Sequence, residues 1–236
     1  IQANKSFYKN KLVSSFGVRF DGNSFNKQMS NPLKQLSPRL SLSYKATDKL
    51  SINSNIGIYY QLPNYTSMGY VNSESKLANK SLEYIKATHY VAGIRYLTNF
   101  NSSLSIEGFL KNYEKYPFLV KDSISLANLG SDFGVIGNEA VTSSSSGRSY
   151  GIEFLAQRKL SKSFYGILAY TWVRSEFKNK NDNYAPSAWD NGHIISLTGG
   201  LKLKNDWEIG MKFRFAGGSP YTLSLIHISE PTRQEA

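Results

Sequence analysis

Side chains able to do chemistry are few in this chain of 236 residues, and their spacing argues against an enzyme. His89, His193 and His227 stand far apart, with no His-x-x-x-His pair to hold a hydrolytic zinc. The absence of cysteine removes disulfides, zinc–thiolate sites and cysteine nucleophiles together. There is no Gly-x-Ser-x-Gly elbow and no phosphate-binding glycine loop. Asp190 and His193 could form an acid–base pair, but an aspartate at a loop-to-strand junction more simply caps the backbone. Asp132 and Glu139 lack the ligand spacing of an EF-type calcium loop. No catalytic residue, no metal site and no cofactor is therefore expected. What remains is recognition chemistry. Tyr65, Tyr70, Asn72, Tyr184 and Trp189 lie in long polar stretches, where rings can stack on a sugar or chelate and amides can hydrogen-bond it. Solvated loop residues without a ligand would look the same.

These residues must be positioned by strands. Leu50, Ile52, Ile56, Ile58 and Tyr60 share one parity; Ser51, Asn53, Asn55, Gly57 and Gln61 share the other. In an extended chain successive side chains point to opposite faces, so the segment has one apolar and one polar face. Similar segments are expected over residues 11–21, 38–45, 50–61, 86–97, 103–113, 149–159, 164–174, 193–203 and 208–216. Gly108 and Phe109 interrupt the alternation of the fifth, and the parity of 164–174 is not assignable from sequence. Tight turns at 46–49, 98–102, 160–163 and 204–206 all join the same ends of their strands. Long connections at 62–82, 113–146 and 175–192 therefore all emerge at the other end; the serine run Ser143 to Ser146 reads as flexible loop.

That asymmetry, with strands of about ten residues, predicts an all-β fold, an antiparallel up-and-down transmembrane β-barrel. A soluble sandwich mixes loop lengths at both ends. Burial energetics agrees. The parity opposite the apolar one carries Arg19, Arg39, Lys45, Arg95, Glu153, Lys212 and Arg214. Unpaired charges cost several kcal/mol each in a dry core, but they can line a wide lumen filled by water or a plug. Tyr44 and Trp207 lie near strand ends, where an aromatic girdle would meet the membrane interface.

Composition permits this. No stretch approaches the roughly 18–20 apolar residues of a membrane helix. A mean hydropathy of -0.38 suits strands that are polar on one side. The formal net charge of +11 is accounted for by solvated loops and turns, or by an anionic ligand or contact with lipopolysaccharide. The basic residues are scattered, without a basic helix or stripe, so nucleic acid is not an expected partner.

Three stretches carry a family resemblance. The first is Leu36-Ser-Pro-Arg-Leu-Ser-Leu-Ser-Tyr44, then a strand ending Tyr59-Tyr60-Gln61-Leu62-Pro63. The second is Ser149-Tyr-Gly-Ile-Glu153, then a hairpin ending Ala169-Tyr170-Thr171. The third is Trp189-Asp190-Asn191-Gly192-His193, then a hairpin ending Gly217-Gly218-Ser219-Pro220-Tyr221-Thr222. In order and spacing they resemble the barrel of a TonB-dependent outer-membrane receptor of the Bacteroidetes style. The resemblance implies a barrel of about 22 strands plugged by an N-terminal domain, whose TonB box contacts the inner-membrane energy complex. It implies uptake of a siderophore, glycan or cobalamin, with outer-membrane lipid and lipopolysaccharide around the wall.

On this reading the chain is part of one barrel, an open curved sheet of about nine to ten strands over residues 1–222. Plug, TonB box, terminal aromatic strand and signal peptide would lie outside it. The tail Leu223-Ser-Leu-Ile-His-Ile-Ser-Glu-Pro-Thr-Arg233 resembles a translated sequencing adapter, so residues 223–236 are expected to be an artefact without function, His227 included. Two other classes stay open: a plug-less outer-membrane barrel (porin, adhesin or barrel enzyme) and a soluble β-sandwich binding module.

Overall fold

The computed structural model describes residues 1–98, 101–129, 137–161 and 163–220. Asp132 and the expected boundary after Thr222 lie outside them. Twelve strands make one antiparallel sheet. In chain order they are β1 (Gln2–Phe7), β2 (Leu12–Arg19), β3 (Ser37–Lys45), β4 (Leu50–Gln61), β5 (Ile85–Leu97), β6 (Ser102–Leu119), β7 (Ile124–Ser125), β8 (Val141–Ser161), β9 (Phe164–Lys178), β10 (Tyr184–Pro186), β11 (Gly192–Lys202) and β12 (Glu208–Ala216). Ten of them pair in sequence order from β1 to β12, while β7 adds to β6 and β10 to β9 above the main wall. Among the described residues the sheet does not close, as expected of a partial barrel: β1 and β12 have one neighbour each there. No described helix is long and apolar enough to cross a membrane.

The tight turns join β1 to β2, β3 to β4, β5 to β6, β8 to β9 and β11 to β12. The β1–β2 turn places Tyr8, Lys9 and Asn10 at positive φ, and the β11–β12 turn does the same with Asn205 and Asp206. Left-handed turn residues match the right-handed twist of the strands they join. All long connections lie at the opposite end.

Register runs straight across the wall. Leu40 faces Ile56, Ile56 faces Tyr90, Tyr90 faces Leu110 and Leu110 faces Tyr150. These side chains, with Ile52, Ile94, Ile106, Ile152 and Leu168, stand on one face; all are exposed except Tyr150, which is half-buried. On β12, Ile209, Met211, Phe213 and Phe215 continue it. Leaving such a side chain in water forgoes about 1.5–3 kcal/mol relative to burying it, so this face requires lipid. The expected alternation of β6 is intact: Gly108 is on the outer face and Phe109 on the inner one, so chemistry and not geometry is inverted there. The parity of β9 also resolves, with Leu168, Tyr170 and Trp172 outward through their partners Ala156, Phe154 and Ile152.

Two expectations are corrected. The serine run is not a loop: Ser143–Ser146 belongs to β8, and Ser145 is buried opposite Tyr116. Cross-strand pairing to β6 supplies the order that the local serine composition does not. The connection expected over 113–146 accordingly shrinks, because β6 runs on to Leu119 and β8 begins at Val141. At 18 and 21 residues these strands exceed the roughly 9–11 needed to span a bilayer, and they project beyond it. Strand β1, in a segment whose polarity gave no signal, is the other addition.

Among the described residues, one buried apolar cluster lies at the loop end, made of Met29, Met68, Leu82, Tyr84, Leu119, Leu126 and Val141. Two asparagines tie the loops over it. Asn79 donates to the carbonyls of Ser67 (2.8 Å) and Glu139 (2.9 Å) and accepts from the amide of Val141 (2.9 Å). Asn26 donates to the carbonyls of Lys80 and Leu82 and accepts from the amide of Met29.

Candidate ligand cleft at the loop end

Inward-facing residues near the tops of β4, β5, β6 and β9 are large and ringed, because a wide lumen imposes no packing limit on them. With the loops above, they line a cavity of about 1410 Å³. On one side Phe177 is fully buried beneath Tyr113 (centroids 5.4 Å), Tyr116 (4.8 Å) and Trp189 (6.0 Å). On the other, Tyr59 stacks on His89 at 4.3 Å, and the Arg39 guanidinium lies 4.3 Å from the Tyr59 ring. Lys111, in register with His89, adds a cation. Arg19 is satisfied by Asp21 at 2.6 Å. Burial first, and the Asp21 carboxylate second, push the Tyr84 phenol above its ordinary pKa, so it is a neutral hydrogen-bonding group. The cleft thus offers aromatic faces, hydroxyls and cations, and can bind a planar or anionic solute.

The structure brings two of the five expected residues to this cavity. Tyr65 opens the short helix α1 (Tyr65–Gly69), capped by Asn64, and is exposed at the mouth; Trp189 packs on Phe177. The other three stand apart from it. The Tyr70 amide closes the end of α1, and the Asn72 side chain accepts from the amides of Glu74 and Lys76 to make a turn. Tyr184 lies under the Arg148 guanidinium at 4.1 Å. Tyr59, His89, Tyr113, Tyr116 and Phe177 also line the cavity, and none of them is among the residues expected from sequence. The available signal was aromatic residues on the polar parity of a strand, which an argument from apolar faces passes over.

Asp190 accepts from the Ser175 amide at 2.9 Å and pairs with Arg174 at 3.3 Å, whereas His193 bonds the Tyr170 hydroxyl at 2.9 Å. The aspartate is therefore a backbone cap and not an acid–base partner of His193. Among the described residues no group of three or more histidines, cysteines, aspartates or glutamates could hold a metal ion. Deeper in the lumen, Glu107 and Glu153 face each other across β6 and β8, and neither is in an ion pair among the described residues.

An unclosed antiparallel wall with a lipid-seeking outer face, a charged inner face and all long loops at one end defines a segment of transmembrane β-barrel. Residues 1–227 match the family model described as TonB dependent receptor-like, beta-barrel, and the chain belongs to that family. It is a family of outer-membrane transport receptors. The loop end accordingly faces the cell exterior and the tight turns face the periplasm. Solved structures share the fold. The ferripyoverdine receptor of the outer membrane of Pseudomonas aeruginosa aligns with a TM-score of 0.64 at 18% identity, over 92% of this chain and 28% of that one. The alcaligin outer-membrane receptor FauA from Bordetella pertussis gives 0.61 at 15%, over 91% and 36%. The ferric-catecholate import receptor Fiu from E. coli gives 0.57 at 14%, over 87% and 30%. The chain thus spans about a third of the length of the structures it matches. No curated protein matches it in sequence.

Proposed function

We propose that this chain is wall and outer rim of an active-transport receptor for a scarce nutrient, energised through TonB and not an enzyme. Its ligand docks in the outer cleft. The single observation that carries the reading is that cleft: about 1410 Å³ at the exterior mouth, walled by aromatic rings and cations on a barrel of this family. Siderophore, glycan and cobalamin are the ligand classes in play. Likeness in fold to receptors for ferripyoverdine, alcaligin and ferric catecholates supports a ferric chelate first. Tyr65 and Trp189 are proposed ligand contacts, joined by Tyr59 and Tyr116; Tyr70, Asn72 and Tyr184 are proposed at most as rim contacts for a large ligand.

A separate plug-type domain in the lumen, carrying the TonB contact, is part of the proposal. Glu107 and Glu153 support it, since directly opposed carboxylates repel unless an occupant supplies a cation. Outer-membrane lipid and lipopolysaccharide are the proposed surroundings of the apolar face.

The test is uptake by cells expressing the full-length chain. Radiolabelled iron is offered as catecholate, hydroxamate and pyoverdine-type chelates, beside cobalamin and oligosaccharides, with and without a protonophore. Energy-dependent, saturable accumulation of one of them is expected. Conductance through the lumen without energy, and no saturable uptake, would instead mean a porin-like barrel.

A further inference from the structure

The inner face of the wall is divided into two sectors of different chemistry. On β5 to β12 it carries Glu107, Glu153, Lys111, Lys212 and Arg214, none of them in an ion pair among the described residues. On β1 to β4, between Arg39 near the outer end and Lys45 near the inner one, it carries short uncharged groups that bond one another. Asn55 donates to Ser41 at 2.9 Å, Ser43 to Asn53 at 2.8 Å, and Gln2 to Ser15 at 2.9 Å. Two hollows of about 680 and 400 Å³ run along this sector and both share Tyr59 with the outer cleft; the smaller also reaches His89 and Gly93 on β5 and Glu107 on β6, where the charged sector begins. A track of open inner surface thus leads down from the cleft past Ser15, Ser41 and Asn55 to Ser43 and Asn53.

We infer that this β1–β4 sector is a hydrophilic seam along which solute passes from the outer cleft toward the periplasm, while a luminal domain is held against the adjoining, charged sector. The physical ground is a difference in demand for partners. Opposed, unpaired charges gain strongly from an ion pair with an occupant. Amides and hydroxyls already bonded to each other gain little by exchanging a wall partner or water for a domain surface. An occupant therefore settles on β6, β8 and β12 and leaves the ladder wet. The ladder suits a polar solute because each of its groups can trade its bond with a neighbour for one with the solute. The inference rests on the proposed luminal domain.

These 236 residues contain no cysteine, so once any cysteine elsewhere in the full-length protein is replaced, single cysteines report access directly. Ser15→Cys, Ser43→Cys and Asn53→Cys probe the seam; Thr171→Cys and Thr198→Cys probe inward positions opposite Glu153 and Lys212. Each is placed in the full-length chain and treated with a membrane-impermeant biotin maleimide in intact, energised cells. Asn205→Cys, in a periplasmic turn, checks that the reagent does not leak, and labelling in denaturant checks that every thiol reacts. Seam cysteines are expected to react at least about tenfold faster than the two controls. Adding Ser41→Trp should slow labelling at Asn53→Cys by about tenfold and leave Thr171→Cys unchanged. Faster reaction at the controls, or equal slow reaction at all five, overturns the seam. Equal fast reaction at all five means an open lumen and overturns the luminal domain as well.

Discussion

Trp189 and Tyr184 are both exposed aromatic loop-end residues, yet they stand in different company. Trp189 packs edge-on to Phe177 in the cleft, whereas Tyr184 lies beneath Arg148 on the strand flank. Trp189→Ala and Tyr59→Ala should each weaken ligand binding by about 0.5–1.5 kcal/mol, a few-fold to roughly tenfold in Kd, with unchanged surface expression. Tyr184→Ala should leave Kd within about twofold on the same scale. Binding isotherms on cells expressing the full-length chain read both. Asn79 is a different kind of residue. Two of its three hydrogen bonds reach residues 60 and 62 positions away in sequence, and the third reaches Ser67 in α1. Asn79→Ala should expose the outer loops to protease at a cost of about 1–3 kcal/mol for each buried group left unpaired. Limited proteolysis of whole cells checks it; digestion as slow as in the parent would remove Asn79 as a staple.

Among the elements, β8 separates local from tertiary causes most clearly. Its first residues, Val-Thr-Ser-Ser-Ser-Ser, have the composition of a linker, yet they pair with the top of β6 through two register shifts. Ser145→Pro removes a donor from a paired stretch and should impair assembly. The readout is the heat-modifiable mobility of the folded barrel in mild detergent, with loss or weakening of the fast-migrating form expected. Full retention would return this stretch to loop status. Gly151, on the same strand, has no room for a side chain, because a Cβ there would meet the Trp172 carbonyl and the Phe109 ring. Gly151→Ala should therefore destabilise by about 1–3 kcal/mol, visible as a lower unfolding temperature in detergent.

At the scale of the whole molecule, the wall has, among the described residues, two unpaired edges and an outer face of exposed Leu, Ile, Phe and Tyr. Residues 1–222 expressed alone in buffer should aggregate, since open edges template further strands and the apolar face has no lipid. Light scattering would show it, and a monodisperse monomer without detergent would favour a soluble β module instead. Much of this was legible in the chain. Side-chain direction along a strand has period two by covalent geometry, so Ile52, Ile56 and Ile58 announce a face without knowledge of any partner. Turn residues such as Asn205 and Asp206 act within a few residues, so the alternation of tight turns and long connections was legible as well. Tertiary structure alone decided the rest. Strand order in Ser143–Ser146 comes from β6, the loop cluster comes from Asn26 and Asn79 bonding across distant segments, and the cleft comes from curvature that brings Tyr59 and Phe177 to one cavity. Those outcomes depend on contacts between residues far apart in the chain, and local sequence carries periodicity but not pairing.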